Sequence, residues 1–268
     1  MNQFGLNVVP APLRTLLSTS NFADQREAKE ANIRKWRERG VEVLLLYPQE
    51  YPAHLAELEK PPPFLFCKGE RRLLNHLKAL AVVGTRENTA LGAKIARKTV
   101  SFFARRGYSI VSGLALGIDS IAHKSALEFG APTLAVLVDV DNVAPAANRS
   151  LATAILDNCG LLISENPPGT RIIPAFFAKR DRIQAGLSSA VFAIETSIDG
   201  GTMHAVNTAI SLDRPVYVPD PIAAGYPDMD DKAISGIRHL IKTNKAIPYT
   251  ARNYEDMDRK LADFFRGA

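Results

Sequence analysis

Six short runs of apolar residues punctuate the last two thirds of the chain, at 80–84, 109–113, 133–138, 161–165, 190–196 and 215–219. They are apolar almost throughout instead of alternating with polar residues, as strands are when both faces of a parallel sheet are covered. The segments between them are long enough for crossover helices, so the pattern predicts an α/β domain built on a doubly wound, mostly parallel sheet. Upstream, residues 25–39 place Ala28, Ala31, Ile33 and Trp36 at helical spacing, with Gly40 positioned to stop the helix. Residues 41–47 read as a short strand. Lys60-Pro61-Pro62-Pro63 is too stiff for a helix interior and marks a boundary, dividing an N-terminal helical extension and lead-in (1–60) from the α/β domain (61–268). The segment containing Pro10 and Pro12 is weakly patterned, the tail predicts helices over 234–243 and 254–265, and no internal repeat or low-complexity tract is present.

Three of the predicted strands run into turns of small residues that open helices: Val83-Gly84-Thr85-Arg86, Ser112-Gly113-Leu114-Ala115-Leu116-Gly117-Ile118-Asp119, and Glu195 followed by Asp199-Gly200-Gly201-Thr202. A strand, a glycine-rich turn and a helix start are the geometry that aims backbone N–H groups at a phosphate. In a doubly wound sheet all three turns lie beyond the carboxyl ends of the strands, where ligands bind.

Composition narrows the picture modestly. With 33 Lys and Arg against 28 Asp and Glu, the 268-residue chain carries a net charge of +5, which favours an anionic partner without demanding one. Cys67 and Cys159 suit small buried positions in a reducing compartment better than a disulfide framework or a zinc site. No stretch approaches the roughly 20 apolar residues of a membrane span, and no basic start followed by an apolar run opens the chain, so a cytoplasmic protein is expected.

These motifs, in this order, resemble the DNA-processing protein A (DprA, or Smf) family. The resemblance continues through Ser164-Glu165 with Pro168-Gly169, then Phe177-Ala178-Lys179-Arg180-Asp181-Arg182-Ile183 with Ala185-Gly186-Leu187-Ser188, Val218-Pro219, and Ser235-Gly236 with Leu240-Ile241. Tyr51-Pro52-Leu55 and Pro62-Pro63 with Leu65-Phe66 and Gly69 match its lead-in, so the likeness covers residues 47–247. It implies a Rossmann-like core that binds single-stranded DNA and, in competent bacteria, hands it to the RecA recombinase, with no catalytic residue, metal or cofactor. A homodimer is left open. The chain departs from the family in carrying Asp181 where an RNR triplet has Asn and in replacing a glycine and a Tyr-Pro pair by Asp139-Val140-Asp141-Asn142-Val143-Ala144-Pro145; the winged-helix module of many members is not expected within these residues.

The expected DNA-contacting set is Gly84, Thr85, Arg86, Ser112, Gly113, Gly117, Phe177, Lys179, Arg180, Arg182, Gly200, Gly201 and Thr202. Arg86, Lys179, Arg180 and Arg182 would neutralise phosphates, Phe177 would offer a stacking face, and the glycine-rich turns would supply N–H groups. On this reading Arg86 and Arg180 sit on loops at the ligand edge, and an exposed Asp181 offsets part of their charge. One of Phe176 and Phe177, with Leu114 and Leu116, would face the core. Positive φ at Gly200 and Gly201 would explain those residues without any ligand. Asp119 and His123 share a helical face, which fits either acid–base chemistry or a helix-dipole contact beside a locally bonded histidine. Lys94, Arg97, Lys98, Arg105 and Arg106 make the first crossover helix basic, as a solvated face or a second binding stripe. The competing function is a mononucleotide-sensing or N-glycoside-cleaving protein built around Glu195 and Arg86.

Overall fold

Strands β3 (Ala79–Val83), β4 (Ser109–Ser112), β5 (Thr133–Val136), β6 (Leu161–Ser164), β7 (Ala190–Ala193) and β8 (Val216–Pro219) occupy the six predicted apolar runs. The computed structural model describes residues 22–46, 51–226 and 231–266. Their neighbours pair in parallel, in the registers Leu80↔Ile110, Ile110↔Thr133, Leu134↔Leu161, Leu80↔Ala190 and Val191↔Val216. Three further strands, β1 (Val41–Leu45), β2 (Phe64–Gly69) and β9 (Ile247–Tyr249), extend the sheet to nine among the described residues, in the order β1-β2-β6-β5-β4-β3-β7-β8-β9. β2 runs antiparallel to β6, and β9 adds a parallel edge to β8. The Ile-Pro-Tyr run of β9 is too short, and too interrupted by proline, to read as a strand in sequence.

Contacts divide the chain between Glu42 and Val43. The first unit holds helix α1 (Phe22–Glu38), which ends on the basic residues Lys35 and Arg37 before Gly40 at positive φ. In the second unit, residues 51–58, placed ahead of the expected boundary at the prolines, already pack into the core through Tyr51, Leu55 and Leu58. The weakly patterned segment with Pro10 and Pro12, and Tyr47 at the end of the expected first strand, lie outside the described residues.

The alternation of side chains along β3 shows how both faces are covered. Leu80 and Val82 point into a layer formed with α3 (Ala90–Ala104) and α4 (Ile118–Glu128), where Val100, Phe103, Ile118 and Ala122 meet Ile110 and Phe192. Ala81 and Val83 point to the opposite layer, against Ala205, Val206 and Ala209 of α7 (Thr202–Ser211) and Ile234, Ile237 and Leu240 of α9 (Asp231–Lys242). The remaining helices are α2 (Ala53–Ala56), α5 (Arg149–Asp157), α6 (Pro174–Gly186), α8 (Pro221–Ala224) and α10 (Tyr254–Arg266). This is the doubly wound, Rossmann-like arrangement expected from the apolar runs. No helix among the described residues is long and apolar enough to cross a membrane.

Phe103 anchors the first layer, with ring centroids 5.3 Å from Tyr108, 5.2 Å from Phe192 and 6.0 Å from Tyr254. Beside it Thr99 Oγ1 lies 2.9 Å from the hydroxyls of both Tyr249 and Tyr254, tying α3 to β9 and α10. Phe103→Ala should therefore empty a fully buried site and destabilise the fold by about 3–5 kcal/mol in urea unfolding. A loss below about 1 kcal/mol would mean that this layer can collapse around the cavity.

Candidate nucleic-acid interface

Strand order reverses at β3, which has β4 on one side and β7 on the other, so the turns leaving β3 and β7 diverge and open a crevice beyond their carboxyl ends. A cavity of about 390 Å³ fills that crevice. Its walls are residues 83–87 after β3, Ala115 and Asp119 after β4, Thr196, Ser197, Gly200 and Gly201 after β7, and the start of α7. Helix α6 closes the remaining side. Pro174 starts that helix at a position with no N–H bond to lose, and Phe177, Arg180, Asp181 and Gln184 fall on one stripe three to four residues apart, all lining the cavity.

Arg86 is exposed at the mouth, with its guanidinium carbon 5.5 Å from the Phe177 ring centroid. Arg180 is only 3% exposed and lies in α6 instead of on a loop. Its Nη2 donates to the Gly113 carbonyl at 2.9 Å and its Nη1 to Asp181 Oδ1 at 2.5 Å, while Asp119 Oδ2 lies 3.9 Å away. The guanidinium packs so closely on Gly113 that any Cβ there would overlap it. Gln184 Nε2 donates to Asp181 Oδ1 at 2.8 Å. Arg180 Nε and Gln184 Oε1 are buried and have no hydrogen-bond partner among the described residues.

The turn after β4 is organised by Asp119, whose carboxylate accepts from the N–H groups of Gly113 and Ala115 at 3.1 and 3.4 Å. A side-chain carboxylate thus occupies the anion position that a phosphate was expected to fill. Gly117, at φ +77°, lets the turn press against the first one, where Ile118 N donates to the Thr85 carbonyl at 3.2 Å. Ser112 is buried and donates to the Val82 carbonyl at 2.7 Å. Ser112, Gly113 and Gly117 therefore shape the wall from behind and do not line the cavity.

Glu195 is also turned inward. It is fully buried and accepts from the backbone N and the Oγ1 of Thr89 at 2.9 and 2.6 Å, while Thr89 Oγ1 caps α3 by accepting from Gly92 N at 2.9 Å. The Glu195 carbonyl accepts from Thr85 N at 2.7 Å, so β7 fixes the loop that carries Arg86. His123 is buried beside Thr133, with Nδ1 2.7 Å from Oγ1, and burial followed by the Arg180 charge pushes it down to about 3. It holds α4 to the sheet and lies outside the cavity lining.

Lys179 and Arg182 share the buried Glu165, at 3.0 Å from Lys179 and through two 2.9 Å bonds from Arg182. They line a second hollow of about 350 Å³ with His204, Asn207, Thr208 and Ser211. On the first crossover helix Arg97 is bound to Glu128, and just past its end Arg106 is bound to Glu255 and Asp258, so part of the expected basic face is internally neutralised.

The family model for DNA recombination-mediator protein A matches residues 42–260. The chain belongs to this family. It is 32% identical over 196 residues to the Bacillus subtilis DNA processing protein DprA, covering 71% of this chain and 66% of that relative. The chain spans less than two thirds of the length of that relative and of other DprA and Smf proteins that it matches. Its fold superposes on the crystal structure of DprA from Streptococcus pneumoniae with a TM-score of 0.75 at 30% identity, over 88% of this chain and 82% of that one. It also superposes on Helicobacter pylori DprA, described for its single-stranded DNA binding mode, with a TM-score of 0.70 at 25% identity, over 82% and 96% of the two chains.

Within this DprA-type fold several expectations from sequence change. Asp181 is 14% exposed and orients Arg180 and Gln184 instead of standing free at the mouth. Phe176 and Phe177 are both half-buried, and Leu116 is 46% exposed, because the turn after β4 points it outward while Leu114 fills the core. Gly200 and Gly201 do not have positive φ; a side chain at Gly200 would press on Thr196 and Ser197, whereas the space above Gly201 is open. Of the expected set, Gly84, Thr85, Arg86, Phe177, Arg180, Gly200, Gly201 and Thr202 line the cavity. Asp119, Thr196, Ser197 and Gln184 line it too and were not singled out as ligand contacts. Gln184 had a signal in sequence, its helical spacing from Phe177 and Arg180.

Burial raises the carboxyls of both Asp119 and Asp181, against the opposing pull of Arg180, and the nearby Asp119 charge adds to the rise at Asp181, to about 6 from an ordinary 3.8. Between those values the folded chain keeps a proton that the unfolded chain has released, so the Asp181 contribution to stability falls as pH rises from about 4 to 6. Asp181→Asn keeps an acceptor for both neighbours and removes this penalty. Relative to the native chain, the variant should gain on the order of 1–3 kcal/mol in urea unfolding at pH 7 compared with pH 4; equal shifts at the two pH values would count against the buried, raised carboxyl. Arg180→Ala leaves both carboxyls without their cation and should cost about 3–5 kcal/mol at pH 7 by the same measurement, unlike a surface substitution.

Proposed function

We propose that this chain binds single-stranded DNA at the cavity between β3 and β7, as a non-catalytic DNA-processing protein of the DprA type. The observation that carries the reading is the Arg86–Phe177 pair at the mouth of a cavity at the switch point of the sheet, a cation lying over an aromatic ring. Such a pair serves a phosphodiester and an adjoining base together. Three exposed apolar side chains, Leu116, Ile173 and Ile198, stand on loops at the same sheet edge, after β4, β6 and β7. They suit unpaired bases better than a bare phosphate. The start of α7, with open space above Gly201, offers a second place for a phosphate. Lys179 and Arg182, still net cationic after sharing Glu165, extend the path along α6.

The reading as a mononucleotide-processing enzyme loses its acidic group, since Glu195 is buried against Thr89. Asp119 and Asp181 are likewise committed to Arg180 and the turn after β4. Transfer of the strand to a RecA-type recombinase, and self-association of the chain, belong to the same proposal and are tested by co-binding on oligonucleotides and by light scattering.

Arg86→Ala should weaken binding to oligothymidine in fluorescence anisotropy and reduce the slope of log affinity against log salt by about 0.7, the value for one phosphate contact on a single strand. Because Arg86 is exposed, the melting temperature should stay within about one degree of the native value. Unchanged affinity and slope would place the strand elsewhere on the molecule, and no binding by the native chain at low salt would overturn the function itself.

A further inference from the structure

The cavity is lined by two carboxylates that share one buried cation. Arg180 Nη1 donates to Asp181 Oδ1 at 2.5 Å and its Nη2 lies 3.9 Å from Asp119 Oδ2, so with both acids ionised the cluster carries one net negative charge. The two acids are not equivalent. Asp119 stands in the first turn of α4, where the helix dipole and the N–H groups of Gly113 and Ala115 favour its charged form. Asp181 lies within α6 and takes its two hydrogen bonds, from the Arg180 and Gln184 side chains, both on Oδ1. Its Oδ2 has no hydrogen bond among the described residues, so a proton can settle there without breaking either contact. Charged groups face this carboxyl from each element around it: Arg180 on its own helix, Asp119 from α4, His204 from α7, and at the mouth Arg86 and Glu87 from the loop after β3. His123 of α4 feels the Arg180 charge but is held neutral by burial, and Glu195 is turned away into the Thr89 cap.

We propose that Asp181 is a proton switch for ligand binding: an anionic strand entering the cavity drives a proton onto Asp181, and the strand is held most tightly when that carboxyl is neutral. This rests on the reading of the cavity as a single-stranded DNA site. The reason is Coulombic. A phosphodiester brought to Arg86 adds negative charge beside a cluster that already has one in excess, and in a partly water-excluded site the repulsion is only weakly screened. A proton on Asp181 leaves Arg180 and Asp119 balanced. Burial, with the Asp119 charge added, already raises this carboxyl to about 6 against the pull of Arg180, so a further rise on binding moves its titration toward neutral pH. Above that value the free chain has released a proton that the complex keeps, so affinity falls as pH rises through the interval between the free and the bound midpoints.

Oligothymidine has no group that titrates in this interval, so the proton can be followed on the protein. At constant low salt, from about pH 5.5 to about pH 8, the native chain should lose about tenfold in affinity, and calorimetry in two buffers of different ionisation enthalpy should show about half a proton taken up near the middle of the range. Asp181→Asn should flatten the profile and abolish the uptake. A fall and an uptake that persist undiminished in this variant assign the proton to another group, such as His204, and overturn the proposal. If the native chain binds with an affinity independent of pH and takes up no proton, the switch is wrong although single-stranded DNA binding stands. If it binds at no pH, the function proposed above fails, and the switch with it. Should Asp181→Asn not fold, a carbon-13 titration of the native carboxyls decides: the Asp181 midpoint should rise when oligothymidine is added, and an unmoved midpoint overturns the proposal.

Discussion

The site depends on one buried contact, the Arg180 guanidinium laid on the bare backbone of Gly113 between Asp119 and Asp181. Three elements meet there. α6 supplies the cation and one carboxylate, α4 supplies the other, and the turn after β4 supplies a carbonyl and, through Asp119, two N–H groups. Burying this many polar groups is tolerable because nearly all are paired, and removing the central cation would leave two carboxyls in a low-dielectric setting. The contact therefore sets the distance between α6 and the sheet, and with it the width of the cavity.

A second clamp works on the opposite wall. Glu195, at the end of β7, holds the Thr89 cap of α3, and its carbonyl holds Thr85, so the loop bearing Arg86 is fixed at both ends by the strand next to it. The result is a rigid frame whose exposed cation and aromatic ring stand at the mouth while most charged groups below neutralise one another. A positively charged rim over a neutral, polar floor is a different design from a uniformly basic groove.

The family likeness and the geometry support each other at different levels. The match over residues 42–260 and the superposition on two DprA structures establish the ancestry and the fold. Fold alone does not decide chemistry. The particular balance at the floor, with a carboxylate at Asp181, is a property of this chain, and it offsets the charge of Arg180 within the basic motif of α6.

Much of the architecture was legible in the order of residues because period and punctuation are local. The six apolar runs became the six central strands to within a few residues, and the three glycine-rich turns fell at one edge because a doubly wound sheet leaves no other place for them. The edge strand β9 escaped notice because three residues interrupted by proline carry no period. Sequence also named the cations Arg86, Lys179, Arg180 and Arg182, but could not tell which were free. That is a matter of partners distant along the chain: Gly113 lies 67 residues from Arg180, and Glu165 lies 17 from Arg182. Charge type and helical spacing are written in the sequence itself, whereas burial and pairing arise only when α6 folds back over the ends of β3, β4 and β7. Only the tertiary structure could therefore turn Arg180 and Asp181 from an expected surface pair into the buried floor of the site.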